Sequence, residues 1–212
     1  MYCVKEILYT LQGEGSHTGR PVILCRFTGC NLWSGHEEQR TSAVCKFCDT
    51  NFVGTDGPGG GLFAHARRLA EAARSQWPKA DHNLAKPFLI CTGGEPLLQL
   101  DDELVREFHT AGFEVAIETN GTMACPADVD WVCVSPKAGT KLVLKSGDEL
   151  KLVFPQPDAP PELFENLKFG RFYLQPMDGP HLDQNTKLAQ NYCLMHPQWR
   201  MSLQVHKLLG IP

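Results

Sequence analysis

Three cysteines, Cys30, Cys45 and Cys48, have the residue type and the grouping of a metal or cluster site. Cys45 and Cys48 form a C-x2-C pair, and fourteen residues separate Cys30 from Cys45. A structural zinc site takes four ligands, whereas a 4Fe–4S cluster bound by three thiolates leaves one iron open to a further ligand. The three thiols therefore favour an open cluster site, and a redox C-x2-C pair or a zinc knuckle are the alternatives.

Composition places the chain among ordinary globular proteins. Its 212 residues are 42% hydrophobic and 21% charged, which predicts one domain over 1–212 with a substantial core. The formal charge of -4 offers no basic surface for nucleic acid, and no apolar stretch reaches the roughly 18 residues of a membrane span. We therefore expect a cytoplasmic protein. In that reducing compartment, nine cysteines indicate metal or redox chemistry for the clustered three and buried packing for the other six.

Short apolar strands recur along the sequence, separated by helices or loops. Strands are predicted at 22–27, 87–91, 114–118, 131–134, 150–154 and 171–174, and a looser one at 1–10. Helices are predicted at 62–76, 101–111 and 185–195. This alternation indicates an α/β fold with a parallel sheet, and six strands are too few for a closed eight-stranded barrel. We predict a partial, open TIM-like barrel of about six parallel strands with few crossover helices.

Polar or glycine-bearing clusters follow most of these strands. They lie at 93–95 (GGE), 118–120 (ETN), 135–137 (SPK) and 175–178 (QPMD). Ligands of barrels and open α/β sheets bind at the carboxyl ends of parallel strands, so these clusters are expected around one site. Arg26, near the end of its strand, either forms a structural salt bridge or grips an anionic ligand, and the pattern leaves both open.

Seven motifs, in order along nearly the whole chain, resemble the 7-carboxy-7-deazaguanine synthase family of the radical S-adenosylmethionine superfamily. They are 11–15 (LQGEG), 26–32 (RFTGCNL), 45–50 (CKFCDT), 92–96 (TGGEP), 118–121 (ETNG), 135–137 (SPK) and 204–207 (QVHK). The superfamily spaces its cysteines C-x3-C-x2-C, so residues 34–44 form an eleven-residue insertion here. Because loop-closure entropy grows only logarithmically with length, this excursion is compatible with one cluster, and it marks a subgroup with wider spacing.

The resemblance implies a lyase that converts 6-carboxy-5,6,7,8-tetrahydropterin to 7-carboxy-7-deazaguanine with release of ammonia, towards queuosine or another deazapurine. Electron transfer from a reduced 4Fe–4S cluster would cleave S-adenosylmethionine to methionine and a 5′-deoxyadenosyl radical. That radical would take a hydrogen from the substrate and be returned after ring contraction. The resemblance also implies Mg2+ and an electron donor such as flavodoxin, and the surfaces that a small partial barrel leaves open favour a homodimer.

The family's functional residues map onto this sequence position by position. The cluster would be held by Cys30, Cys45 and Cys48. S-adenosylmethionine would contact Phe47, Cys48, Asp49, Gly94, Ser135, Pro136, Lys137, Gln175, Pro176, Met177 and Asp178. The substrate would contact Leu11, Gln12, Gly13, Arg26, Thr92 and the chain end at Pro212. Mg2+ would bind the hydroxyl of Thr50, and Glu14 would either move protons or act as a hydrogen-bonding brace.

Two rival functions differ in what they need from the sequence. Another radical S-adenosylmethionine enzyme, such as an activase that forms a glycyl radical on a partner protein, needs a protein-docking surface. The polar set around Gln12 and Arg26 suits a small anionic heterocycle better. A zinc-binding interaction module would bind metal without cleaving S-adenosylmethionine, and it gives no role to the glycine-rich strand end at 93–96.

Overall fold

A nine-stranded sheet organises the computed structural model, which describes residues 1–78 and 86–211. The strands are β1 (Tyr2–Leu11), β2 (Pro21–Phe27), β3 (Gly61–Phe63), β4 (Phe88–Gly93), β5 (Glu114–Thr119), β6 (Trp131–Val134), β7 (Ser146–Phe154), β8 (Lys168–Pro176) and β9 (Trp199–Met201). Their order is β3-β1-β2-β4-β5-β6-β7-β8-β9. β1 pairs antiparallel with β2 and β3, whereas β2 and β4 to β9 run parallel. The predicted open α/β sheet is confirmed.

Helices cover one face of this sheet. The part of the chain that the structure describes contains α1 (Ala66–Gln76), α2 (Asp102–Thr110), α3 (Leu182–Met195) and the short α4 (Val205–Leu209). Buried side chains of α1 and α2 pack on β1, β2, β4 and β5, and Ala189 of α3 packs on the later strands near Trp199. Within 114–176, which is fully described, β5 to β8 succeed one another without an α-helix, as predicted for a barrel with few crossover helices.

The opposite face of the sheet changes from apolar to polar along the strands. Side chains alternate between the two faces, so Val22 and Leu24 share the inner face with Arg26 further along β2. On β4, Phe88 and Ile90 precede Thr92 in the same way, and Arg26 pairs in register with Thr92. The apolar half forms a small buried cluster. The polar half therefore collects at the carboxyl ends of the parallel strands.

The structure differs from the sequence prediction at three short elements. Gly61–Phe63 forms β3 at the sheet edge, although residues 62 and 63 were predicted as the start of a helix, and the helix begins at Ala66. β9 and α4 had no counterpart in the prediction, since three and five residues are too few for a periodic signal. Over residues 1–78 and 86–211, no helix combines the length and hydrophobicity needed to cross a membrane.

Candidate active site

The carboxyl ends of the strands open into a cavity of about 380 Å³. Most of the predicted site residues line it: Leu11, Gln12, Gly13, Glu14, Arg26, Cys30, Cys45, Phe47, Cys48, Asp49, Thr50, Thr92, Gly94, Ser135, Lys137, Gln175, Pro176 and Asp178. Pro136 and Met177 are not among the lining residues; the Pro136 carbonyl accepts from Gln156, and the Met177 carbonyl accepts from Asn185. Pro212 lies outside the described residues. Residues from distant parts of the sequence thus share one space.

The three clustered cysteines reach this cavity although fourteen residues separate the first two. The carbonyl of Leu32 accepts hydrogen bonds from the backbone N–H groups of Val44 (3.1 Å) and Cys45 (3.3 Å), which closes the insertion at its base. Cys30 lies three residues beyond the end of β2, and Cys45 is brought back to the same place by this closure. The long first spacing therefore does not separate the thiols.

The three thiols differ in how readily they ionise. A hydrogen bond between the Cys45 and Cys48 thiols lowers the pKa of Cys48 to about 6 and raises the pKa of Cys45. Burial raises the pKa of Cys30, opposed by hydrogen bonds from the backbone of Leu32 and Trp33. The ammonium of Lys137 favours the thiolate forms of both Cys45 and Cys48. A thiolate is the form that ligates metal, so Cys48 is the ligand that this environment prepares best, whereas the raised pKa values of Cys30 and Cys45 favour their thiol forms.

The arrangement of the thiols fits a cluster of several irons. Among the described residues, no three His, Cys, Asp or Glu side chains converge as the ligands of one metal ion do. Three thiolates on a 4Fe–4S cluster bind three different irons, so they must face a shared cavity rather than a shared point. Cys30, Cys45 and Cys48 do face one cavity.

The glycine-rich end of β4 packs closely against the start of the cysteine loop. A Cβ atom on Gly94 would lie 1.9 Å from the carbonyl oxygen of Gly29 and 3.0 Å from the Cβ of Cys30. Gly94 is therefore required for the loop to approach β4. Glu95 is fully buried and accepts hydrogen bonds from the Thr119 hydroxyl (2.7 Å) and the Asn120 N–H (2.8 Å), which ties the end of β4 to that of β5.

Gly94→Ala is expected to destabilise the protein by about 2 kcal/mol, because the new methyl group must displace backbone rather than a flexible side chain. The free energy of unfolding in urea measures this effect. Gly170→Ala is the control, since its Cβ would meet its nearest atom, the Asp148 carbonyl oxygen, at 3.1 Å. Equal stability of the two variants would contradict the tight approach of the cysteine loop to Gly94.

A buried lysine, which the sequence analysis did not single out, forms ion pairs with two carboxylates on the cavity wall. Lys151 donates to Glu14 (2.5 Å) and to Glu118 (2.9 Å), and its side chain is 6% exposed. Burial opposes its charge, but Glu118 and Glu14 outweigh that effect and hold the pKa of Lys151 well above its usual value. The pKa of Glu118 is correspondingly lowered, against the effect of burial, by Lys151. The sequence signal that could have identified Lys151 is the presence of a lysine within the apolar stretch 150–154.

The loop 11–13 and the first strands supply paired donors and acceptors. Gln12 donates to Glu118 (3.0 Å), and the Thr92 hydroxyl donates to the other Glu118 oxygen (3.1 Å). Arg26 donates through Nε to Glu6 (2.7 Å), a partner that the sequence did not reveal. Among the described residues, the two terminal nitrogens of Arg26 have no hydrogen-bond partner, and Arg26 lines the cavity. The structure thus gives Arg26 a salt bridge and leaves its outer donors towards the cavity.

The C-terminal helix closes one side of the cavity through charged contacts. Lys207 donates to Asp49 (2.5 Å) in the cysteine loop and to Asp178 (2.6 Å) after β8. Gln204 donates to Glu14 and to Asp49, at 3.0 Å each. The hydrogen bond from Lys207 lowers the pKa of Asp178. Burial opposes the ionised form of Asp49, but Lys207 and Gln204 together outweigh that effect and lower its pKa.

His206, on the same helix, lies against the loop after β1. A Cβ atom on Gly13 would lie 2.2 Å from the Nδ1 atom of His206, and the Val205 N–H donates to the Gly13 carbonyl (2.9 Å). The 204–207 motif and the 11–15 motif therefore meet at the cavity wall, although some 190 residues separate them.

Comparison with known proteins identifies the family. No family model matches the chain. The 7-carboxy-7-deazaguanine synthases of Caulobacter vibrioides and Bordetella pertussis are 59% and 57% identical to it, each covering 100% of this chain and 99% of the relative. The fold is similar to the crystal structure of QueE from Escherichia coli, with a TM-score of 0.72 and 28% identity over 97% of this chain and 94% of that one. The chain therefore belongs to the 7-carboxy-7-deazaguanine synthase family of radical S-adenosylmethionine enzymes, which use a 4Fe–4S cluster and S-adenosylmethionine.

Proposed function

We propose that the chain converts 6-carboxy-5,6,7,8-tetrahydropterin to 7-carboxy-7-deazaguanine with loss of ammonia, a step towards queuosine or a related deazapurine. One observation carries the proposal: three thiols and a set of paired donors and acceptors line the same cavity of about 380 Å³. That volume lies in the range of small-molecule sites. The similarity to synthases of this name over the full chain supports the same chemistry.

Cys30, Cys45 and Cys48 hold the cluster in this proposal. When bound there, the cluster and S-adenosylmethionine supply a 5′-deoxyadenosyl radical, the species that takes a hydrogen atom from the substrate. S-adenosylmethionine is positioned by residues of the cysteine loop and of the later strand ends: Phe47, Asp49, Gly94, Ser135, Pro136, Lys137, Gln175, Pro176, Met177 and Asp178. Lys137 is half-buried, and burial lowers its pKa; it donates to the Ser135 hydroxyl and carbonyl at 2.7 Å each, which orients its ammonium beside the cavity.

The substrate binds the wall formed by β1, β2 and β4. A pterin edge presents donors and acceptors together, and Leu11, Gln12, Gly13 and Thr92 match it with amide, backbone and hydroxyl groups. The free terminal nitrogens of Arg26 pair with the substrate carboxylate. Thr50, which lines the cavity, offers a hydroxyl oxygen to Mg2+, a hard cation that prefers oxygen ligands.

Glu14 holds a position from which it serves as a brace and as a proton carrier. It accepts from Lys151 (2.5 Å) and Gln204 (3.0 Å), so its orientation is fixed at the cavity edge. A carboxylate oriented in this way is placed to accept a proton during ring contraction.

The protein works as a cytoplasmic homodimer with a flavodoxin-like electron donor, and its 212 residues act as a single domain. The adjacent apolar side chains of Leu194 and Met195, at the end of α3, are 76% and 71% exposed, and such exposure supports an interface there. Size-exclusion chromatography with light scattering tests the dimer.

Discrimination at the substrate carboxylate tests the proposed function. We expect reconstituted, reduced enzyme with S-adenosylmethionine and Mg2+ to consume 6-carboxy-5,6,7,8-tetrahydropterin but not the same pterin without its carboxylate. Mass spectrometry of both reactions measures the difference. Equal turnover of both pterins would contradict the proposed substrate. So would an enzyme that cleaves S-adenosylmethionine but consumes neither pterin.

Lys207→Met is expected to raise the KM for S-adenosylmethionine by roughly three- to tenfold with a smaller change in kcat, because Asp49 loses its charged partner and keeps only the hydrogen bond from Gln204. The ion pairs of Lys207 are 35–41% exposed, so salt screens them and the effect stays moderate. Steady-state kinetics at low and high salt measure this, and the wild type should approach the variant as salt rises. Lys187→Met on the outer surface of α3 is the control. A KM unchanged at low salt would contradict a role for Lys207 in holding Asp49.

A further inference from the structure

The insertion at 34–44 folds over the cysteine loop instead of extending into solvent. Its middle forms a 3₁₀ helix, Glu37–Ser42, with none of the six residues buried. An exposed helix of this kind contributes little to the core, so its role must lie in the contacts that it makes. One side chain, Arg40, makes most of them.

Arg40 joins the insertion to the backbone around the C-x2-C pair. Its Nη1 donates to the carbonyl oxygens of Lys46 (2.9 Å) and Cys48 (3.1 Å). Residues 45–53 form neither helix nor strand, so no regular hydrogen-bond ladder holds these carbonyls. One guanidinium nitrogen thus spans the segment that carries two of the three thiols.

The guanidinium of Arg40 is itself fixed from two other directions. Glu37, one turn earlier, accepts from its Nε (2.7 Å) and forms a second, short contact with Nη2. Its central carbon lies 4.0 Å from the ring centre of Trp33, in a cation–π contact. Trp33 is buried and packs edge-on against Phe52. A planar guanidinium that makes several hydrogen bonds at once holds its neighbours in a fixed geometry, which a lysine ammonium reproduces only in part.

We propose that Arg40 is a positioning residue for the iron–sulfur cluster: it holds the backbone of the C-x2-C loop in place of the short connection that the insertion lengthens. The inference rests on the proposed assignment of the cluster to Cys30, Cys45 and Cys48. Its positive charge also lies beside the loop of the thiolates, where it stabilises the negatively charged, reduced cluster. The insertion is therefore part of the cluster site.

Cluster release to an iron chelator tests the proposal without relying on activity. Wild type, Arg40→Met, Arg40→Lys and Arg67→Met are reconstituted anaerobically, and the loss of iron is followed by absorbance. Arg67 pairs with Glu71 on the exposed face of α1, away from the cavity, and is the matched control. We expect Arg40→Met to release iron about tenfold faster than wild type, as for other groups that orient metal ligands. Arg40→Lys should fall between the two and Arg67→Met should match wild type.

Two further readouts separate positioning from general stability. The midpoint potential of the cluster should fall in Arg40→Met and be restored towards the wild-type value in Arg40→Lys, which keeps the charge. Thermal unfolding of the cluster-free proteins should differ little, because Arg40 lies on an exposed helix. Release of iron from Arg40→Met at the wild-type rate, with an unchanged potential, would overturn this inference alone. Failure of the wild type to take up any cluster would overturn the proposed cluster site instead.

Discussion

Cys48→Ser is expected to abolish the cluster and to reduce product formation to background while the sheet stays folded. Cys48 lies outside the hydrophobic core clusters, in a loop that is held by hydrogen bonds from Arg40 of the insertion and from Lys207 of α4. A serine hydroxyl does not replace a thiolate ligand at neutral pH. Iron content, the absorbance of the cluster and product yield measure the loss, and circular dichroism reports the fold.

Cys193→Ser is the control for this prediction. Cys193 is a half-buried thiol on α3 that belongs to the packing of the later strands, so its replacement should leave iron content and product unchanged. A Cys48→Ser protein that holds a full cluster and forms product would contradict the assignment of Cys48 as a ligand.

Lys151→Met is expected to lower the free energy of unfolding by about 3 kcal/mol at pH 7 and to impair catalysis severely. The substitution leaves Glu14 and Glu118 in the cavity wall without their shared counter-charge, and removal of one partner from a buried ion pair is costly. Such a removal costs roughly 3–5 kcal/mol. We expect the low end of this range because the side chains of Glu14 and Glu118 remain 17% and 23% exposed. Denaturant unfolding measures it, and Lys168→Met, an exposed lysine at the start of β8, is the control.

The loss of unfolding free energy in Lys151→Met should become smaller as pH falls. In the wild type, Lys151 lowers the pKa of Glu118, so this contribution to stability is present above the ordinary glutamate pKa and is lost as pH falls through the lowered one. In the variant, burial still favours the neutral form of Glu118 and is opposed only by the weaker hydrogen bonds from Gln12 and Thr92, so protonation relieves the penalty. The two proteins should therefore converge as pH falls below roughly 4. A deficit that stays constant from pH 7 to pH 4 would show that lost packing, rather than charge, causes the effect.

The strands and their polar ends were predictable because their signals are local. An apolar run bounded by glycine or polar residues, as at 88–93, identifies both a buried strand and the edge where a ligand binds. Motifs at 30–49 and 92–96 then placed the cysteines and the glycine support at one site.

The long-range ion pairs were not predictable from the sequence. Lys207 and Asp49 are 158 residues apart, and Lys151 and Glu14 are 137 apart, so only the fold shows that they meet. Lys151 lies in an apolar strand, and the sequence around it does not indicate which carboxylate it pairs with. The insertion was visible as extra length, but the contact of Arg40 with the cysteine loop depends on a backbone path that spacing does not define.

The most direct test of the account is product formation with S-adenosylmethionine present below the substrate concentration. The enzyme is reconstituted with iron and sulfide, reduced without oxygen and given Mg2+ and 6-carboxy-5,6,7,8-tetrahydropterin, and 7-carboxy-7-deazaguanine is counted by mass spectrometry. We expect several molecules of product per molecule of S-adenosylmethionine consumed, because the radical is returned in each turnover. Formation of 5′-deoxyadenosine without 7-carboxy-7-deazaguanine would contradict the proposed function.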